Sequence, residues 1–234
     1  MPRVTQDVVH ALAQLDTCTV SNVIDELDIR LRNQGFCDGT IRCMLPAMPP
    51  VCGYAVTCSI RSANPPMEGQ SYQDRTDWWD FIRKETEPRI MVLQDIDEHP
   101  GTGAFIGEIH ANILKALGCV ACVTNGRVRS LPAAEEAGMQ LFAKGVVVSH
   151  SFAHLISFGK PATIGGLEIK TGNLLHGDRH GVLLVPDEVA ADVVEKAPAV
   201  IRQRQKIVEY CRTKQISLEK LKQLVNGSNL EMKK

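Results

Sequence analysis

Apolar positions along the chain divide it into alternating helix-like and strand-like stretches. Val8, Val9, Leu12 and Leu15 recur at helical intervals after Thr5, a capping candidate, and predict a helix over 5–15. A second, shorter helix is expected over 19–27 (TVSNVIDEL), whereas 28–50 has no clear period and ends in MLPAMPP, an irregular connection. Residues 53–61 (GYAVTCSIR) alternate as a strand, 76–85 (TDWWDFIRKE) resemble a capped helix, and 89–95 (RIMVLQD) form a buried strand. Between them, 62–76 is polar and proline-containing, a surface loop able to cover a site.

The stretch 103–130, GAFIGEIHANILKALGCVACVTNGRVRS, gives a glycine-rich loop, a helix and a strand that ends in an Asn-Gly turn. Downstream, 132–138 is a helical turn, 140–149 holds one or two strands, and 161–186 has the short glycine-punctuated strands of a compact β layer. A long helix follows over 187–211, interrupted or kinked at Pro198, then a last helix over 216–225 and a disordered polar tail over 226–234. Strands alternate with helices in the centre and follow one another closely later, which predicts an α/β domain with a mixed sheet.

A net charge of -1 leaves no basic footprint for nucleic acid, no run reaches the length of a membrane span, and the N-terminus lacks the apolar centre of a signal peptide. These features predict a cytoplasmic protein with no membrane or nucleic-acid partner. Of the eight cysteines, Cys52, Cys58, Cys119 and Cys122 lie in apolar strand-like runs, as packing residues do. Cys119 and Cys122 form a CxxC, but strict strand alternation sends them to opposite faces, and no second CxxC or paired histidine completes a zinc set.

Candidate chemistry centres on 103–130. A glycine loop before a helix presents unpaired backbone N–H groups that bind anions. GTGAFIG also matches a loose dinucleotide fingerprint, yet the following strand ends in Thr124, Asn125 and Gly126 with no acid to hold a ribose. Glu108 at the start of the helix complements the helix dipole, and Arg129 after the strand is expected at the same edge. A guanidinium facing loop amides makes a carboxylate receptor, and an acid beside it could hold a metal or move a proton.

GxxxGE, the NGxVR turn and GDxHGVxxVP at 177–186, with LDTCTVSNVIDEL and PPVCGYAVTC upstream, resemble the RraA-like family over about residues 12–190. That family includes class II 4-hydroxy-4-methyl-2-oxoglutarate and 4-carboxy-4-hydroxy-2-oxoadipate aldolases as well as a ribonuclease E inhibitor. The resemblance implies a swivelling β/β/α sandwich with extra N- and C-terminal helices: an RraA-like α/β domain over 1–190 and a C-terminal helical extension over 191–234 that makes oligomer contacts. It also implies homotrimers or homohexamers with active sites between subunits. By the same resemblance, Arg129 and the backbone of Gly103, Ala104, Phe105, Ile106 and Gly107 bind the substrate carboxylate, and Glu108 orders water around Mg2+ or Mn2+. The position after Arg129, an aspartate metal ligand in the family's aldolases, is Ser130 here, and a hydroxyl is a poorer ligand for a hard cation. Asn125, where many relatives have aspartate, is read as turn chemistry.

His150 and His154 lie four apart, and His176, Asp178 and His180 follow in LHGDRHG. They are secondary candidates for metal or proton chemistry, with structural roles as the alternative; turn formation alone accounts for Asp178. Glu195 and Glu209 are candidate acids for a neighbouring subunit. The expected activity is a metal-assisted lyase cleaving or decarboxylating a small 2-oxo dicarboxylic acid through a pyruvate enolate. The alternatives are a non-catalytic regulatory or binding protein, and an enzyme using His150 or His180 as base on another hydroxy acid.

Overall fold

The structure, a computed structural model, describes residues 4–67, 76–213 and 215–231. In chain order its first elements are α1 (Gln6–Leu12), α2 (Thr17–Glu26), β1 (Arg42–Cys43), β2 (Val51–Arg61), α3 (Asp77–Lys84) and β3 (Arg89–Asp95). The middle of the chain forms β4 (Ala104–Ile106), α4 (Glu108–Ala116), β5 (Cys119–Thr124), β6 (Arg127–Val128), α5 (Leu131–Glu136), β7 (Gln140–Ala143) and β8 (Gly145–Val146). The remainder is β9 (His154–Phe158), β10 (Ala162–Ile164), β11 (Leu167–Ile169), β12 (Leu174–Asp178), β13 (Gly181–Val185), a 3-10 turn (Asp187–Val189), α6 (Ala190–Cys211) and α7 (Leu218–Glu231).

The large sheet runs β1-β7-β5-β3-β2-β12-β13, with β9 also paired to β2. β2, β3, β5 and β7 are parallel, while β1, β12, β13 and β9 are antiparallel to their neighbours, so the sheet is mixed, as predicted. Its two faces bury different partners, as the period-2 alternation of the strands requires. Val56, Cys58, Ile60, Met91 and Leu93 point to a cluster closed by Trp78 and Ile82 of α3 and Ala111 and Leu114 of α4. Ala55, Ile90, Val92, Ala121 and Val123 point the other way, against Ile164 and Leu167 of the β10–β11 hairpin. Cys52 and Tyr54 extend the helical side, packing with Val9, Val20, Val193 and Ala197 from α1, α2 and α6. The order is hairpin, sheet, helices.

A small parallel sheet, β4-β6-β8, continues the large one. β3 leads into β4, β5 into β6 and β7 into β8, in the same lateral order. The first turns of α4 and α5 therefore sit together at the carboxyl edge of the small sheet.

Several expectations are corrected. Thr5 precedes α1 but its side chain makes no cap hydrogen bond, unlike Asp16 before α2, which accepts from Thr19 N at 2.9 Å. Pro198 does not interrupt α6, which runs unbroken from Ala190 to Cys211. The tail expected to be disordered continues α7 to Glu231. Cys119 and Cys122 share one face of the sheet rather than opposing it: Arg89 pairs with Cys119 but Ile90 with Ala121, so a bulge at Val120 reverses the alternation. Burial pushes the Cys119 thiol up to about 12 and Cys122 well above its ordinary range, which makes both poor nucleophiles. The proposed covering loop, 62–76, falls largely at 68–75, outside the described residues.

Candidate functional site

Backbone pairing in the small sheet brings the glycine loop and the arginine turn together. Ile106 aligns with Val128, and Arg129 N donates to Ile106 O at 3.0 Å. Ala104 N donates to Ser149 O at 3.0 Å, laying the segment after β8 along the other side of the loop. Side chains at two loop positions have no room. A Cβ on Gly103 would lie 2.2 Å from His150 O, and one on Gly107 would lie 3.0 Å from Arg129 Nε.

The Arg129 side chain thus lies along Gly107, immediately before the first turn of α4, where backbone N–H groups have no intrahelical acceptor. One of its five donors reaches Val148 O at 3.2 Å, and it forms no salt bridge among the described residues. Glu108 is the first residue of α4 and is exposed. Ala104, Phe105 and Ile106 have buried side chains, so they offer the site backbone only, and the Ala104 amide is already committed to Ser149. Phe105 stacks on His110 with ring centroids 4.6 Å apart, anchoring the loop to α4. Burial pushes the His110 imidazole down to about 4, although a hydrogen bond with the Phe105 backbone acts the other way.

Ser130 precedes α5 with φ 57° and ψ 45°, a left-handed conformation, and its hydroxyl caps nothing. Asparagine and aspartate tolerate that conformation better than serine does. A divalent-cation site fits this chain poorly. Among the described residues no three His, Cys, Asp or Glu side chains converge, and Ser130 offers a neutral hydroxyl beside the single carboxylate of Glu108.

Asp95, the last residue of β3, was missed by sequence reasoning. It is 1% exposed; its Oδ2 accepts from Ser62 Oγ and Gly101 N, both at 2.8 Å, and its Oδ1 from Asp97 N at 3.1 Å. Asn125 grips the backbone of the same residue, donating to Asp95 O at 2.9 Å and accepting from Asp95 N at 2.7 Å, so it is a clamp between β3 and β5 and not only a turn former. Arg127 donates to Gly101 O at 2.8 Å from the other side. Gly101, the entrance to the glycine loop, is held at both its N–H and its C=O. Burial opposes ionisation of Asp97, but the Ser62 and Ala63 amides and the Arg61 guanidinium outweigh it and keep its carboxyl low. The one available signal was position: an acid at the carboxyl end of a central parallel strand.

The histidine candidates disperse. His150 is exposed beside Gly103, its Nδ1 2.8 Å from Ser151 O, whereas His154 is buried at the start of β9, its Nδ1 2.6 Å from Phe152 O. His176 is fully buried between β12 and the N-terminal helices. Its Nε2 donates to Leu12 O at 2.9 Å, which leaves Nδ1 to accept from Thr17 Oγ1 at 3.0 Å. Asp178 accepts from His180 N at 2.8 Å, as its turn requires, and also from Thr17 N at 3.0 Å, tying α2 to β12. Burial opposes its ionisation, but the His180 and Thr17 hydrogen bonds win and lower its pKa. These residues form a structural clasp around the start of α2. Glu195 and Glu209 are exposed on α6.

The Aldolase/RraA profile matches residues 17–184. The chain belongs to the RraA-like family. Among curated proteins, a Halalkalibacterium halodurans protein named "Putative 4-hydroxy-4-methyl-2-oxoglutarate aldolase" is 29% identical over 114 residues, which cover 48% of this chain and 54% of that protein. The match thus spans about half the length of that curated relative. Among solved structures, an uncharacterized protein from Pseudomonas syringae pv. tomato superposes with a TM-score of 0.74 at 22% identity, covering 97% of this chain and 96% of that one. Streptomyces coelicolor RraAS2, described as an unusual member of the RNase ES inhibitor RraA family, gives 0.67 at 20% identity, covering 88% and 97%. At such identities these structures establish the RraA-like fold. No helix of the described residues is long and apolar enough to cross a membrane.

Proposed function

We propose that this RraA-like protein is a carbon–carbon lyase that cleaves or decarboxylates a short 2-oxo acid through a pyruvate enolate. The observation that carries the reading is the Arg129 guanidinium lying along Gly107, without a carboxylate partner among the described residues, beside the N-terminus of α4. The substrate's carboxylate and 2-oxo group bind to that fork and to the amides. In the retro-aldol direction a base takes the proton of the C4 hydroxyl, the C3–C4 bond breaks, and its electron pair moves into the enolate. In decarboxylation the same pair is left by departing carbon dioxide. The developing charge falls on the oxygen beside Arg129, where a fixed cation stabilises it most. Glu108, at the same edge, is placed to move the proton, and protonation at C3 yields pyruvate.

The relative named as an aldolase supports this reaction class. The protein works as a homo-oligomer, trimer or hexamer, with neighbours close to the site. In support, Ile109 (73% exposed), Val146 (56%), Val148 (92%) and Phe152 (51%) expose apolar surface on the elements around it. The test is pyruvate release from oxaloacetate and from 4-hydroxy-4-methyl-2-oxoglutarate by purified protein, with Mg2+, Mn2+ or EDTA. Turnover that Arg129→Ala lowers by about a hundredfold or more supports the reading. Turnover equal in the two proteins removes Arg129 from the mechanism.

A non-catalytic binding role is the second reading, and the donor set favours it: Ser130 stands at the family's metal-ligand position and no carboxylate trio converges among the described residues. It expects folded, oligomeric protein with no turnover under any of these conditions.

A further inference from the structure

The face of the large sheet that meets the β10–β11 hairpin turns from apolar to polar at one end. Ala55, Ile90 and Val92 lie on it in the core. Farther along, Ser157 of β9, Ser59 of β2 and Gln94 of β3 are register partners and form a polar row across three strands. Between that row and the start of the hairpin is a cavity of about 260 Å³, walled by Ile96, Ile156 and Pro161 and lined also by Lys160, in the bend before β10.

The polar groups here are donors in excess of acceptors. Gln94 Oε1 accepts from Thr163 N at 3.0 Å, which fixes the amide and leaves both N–H groups of Nε2 without a protein acceptor among the described residues. Ser59 Oγ and Ser157 Oγ are 2.7 Å apart, so one hydroxyl donates to the other and the second keeps its proton for a ligand. The exposed Lys160 forms no salt bridge among the described residues, and no aspartate or glutamate lines the cavity. One ammonium, an amide NH2 and a hydroxyl proton beside an apolar wall complement an anion of single charge that carries a hydrocarbon tail. A dianion would need a second cation, and a neutral ligand would gain nothing from the ammonium.

We infer that this cavity is a binding site for a short aliphatic monocarboxylate, separate from the glycine loop. The carboxylate accepts from Lys160, Gln94 and the serine pair, and the hydrocarbon lies on Ile96 and Ile156. Gln94 turns to the hairpin whereas Asp95, the next residue, holds Gly101, so this cavity and the glycine loop lie on different sides of one strand end. The inference does not depend on the lyase reading.

The experiment is calorimetric titration of the full chain with isovalerate, with its neutral amide isovaleramide and with inorganic phosphate, for wild type, Lys160→Met, Ser157→Ala and Arg129→Ala. Wild type should bind isovalerate with a Kd of about 1 mM or tighter, and the other two compounds at least about tenfold more weakly. Lys160→Met should lower isovalerate affinity about tenfold and Ser157→Ala about threefold, while Arg129→Ala should leave it unchanged. Thermal midpoints check that each variant is folded, and Lys160, in an exposed bend, decides the matter even if Ser157→Ala does not fold. Affinity lost in Arg129→Ala and kept in Lys160→Met would put the carboxylate at the glycine loop and overturn the site. Equal affinity for isovaleramide or for phosphate would overturn it too, as would no saturable binding of isovalerate.

Discussion

Gly107 shows how one missing methyl group arranges a site. Its backbone, at φ -141° and ψ -164°, is extended and open to any residue, so conformation does not require glycine there. Contact does, because the Arg129 side chain occupies the space a Cβ would fill. Gly107→Ala should therefore cost less than about 1 kcal/mol of stability, since a half-exposed side chain can move, but at least about tenfold in kcat/KM through misplacement of the guanidinium. Urea denaturation and steady-state kinetics on one preparation check this, and an alanine variant with full activity would refute the packing argument. Ser130 belongs to the same scale. Ser130→Asp suits the left-handed conformation and adds a carboxylate beside Glu108, so Mn2+ affinity should rise about tenfold or more by titration. An unchanged affinity would mean that the remaining groups do not form a cation site.

Among the elements, the junction of β3 with the loop that follows has the most to lose. Asp95 is an acceptor surrounded by donors from Ser62, Gly101 and Asp97. Asp95→Asn replaces one acceptor oxygen with an NH2 group that faces those donors and leaves a buried group unsatisfied. The expected loss is about 1–3 kcal/mol, with a lower kcat because Gly101 and the glycine loop lose their anchor. Asp95→Ala leaves all three donors without this acceptor, so it should cost at least as much stability and recover no activity. If Asp95→Asn matches wild type in both thermal midpoint and kcat, the loop is held by other contacts.

For the whole molecule, buried groups set the response to acid. His110 stays neutral in the fold down to about 4, whereas in the unfolded chain it titrates near 6.5. Above about 6.5 both states are neutral and the group has no effect. As pH falls toward 4 the unfolded chain takes up the proton first, and stability drops by up to about 3 kcal/mol. His176, also lowered by burial, adds in the same direction. Asp97 and Asp178 act later: their contributions are complete above the unfolded value near 3.9 and are lost as pH falls through their lower folded values. Urea midpoints from pH 8 to pH 4 should show this slope, and His110→Phe, which keeps the stack on Phe105, should flatten part of it. A wild-type profile flat between pH 6.5 and 4.5 would contradict the buried neutral imidazole.

Periodicity and turn chemistry were enough to determine much of this protein. The apolar runs at 53–61 and 89–95 became central strands, and the Asn-Gly turn and glycine loop marked where Arg129 and Glu108 would lie, because these signals are local. The tertiary structure decided what depends on pairing. The bulge at Val120 turned Cys119 and Cys122 to one face, a register effect invisible in the alternation of a single strand. His176 and Asp178, which as a motif suggested chemistry, became a clasp on α2 because their partners Leu12 and Thr17 lie far away in sequence. Asp95, Ser62 and Gly101 became one network for the same reason. Hydrogen bonds between distant positions leave no spacing to read, and only the fold brings their donors and acceptors together.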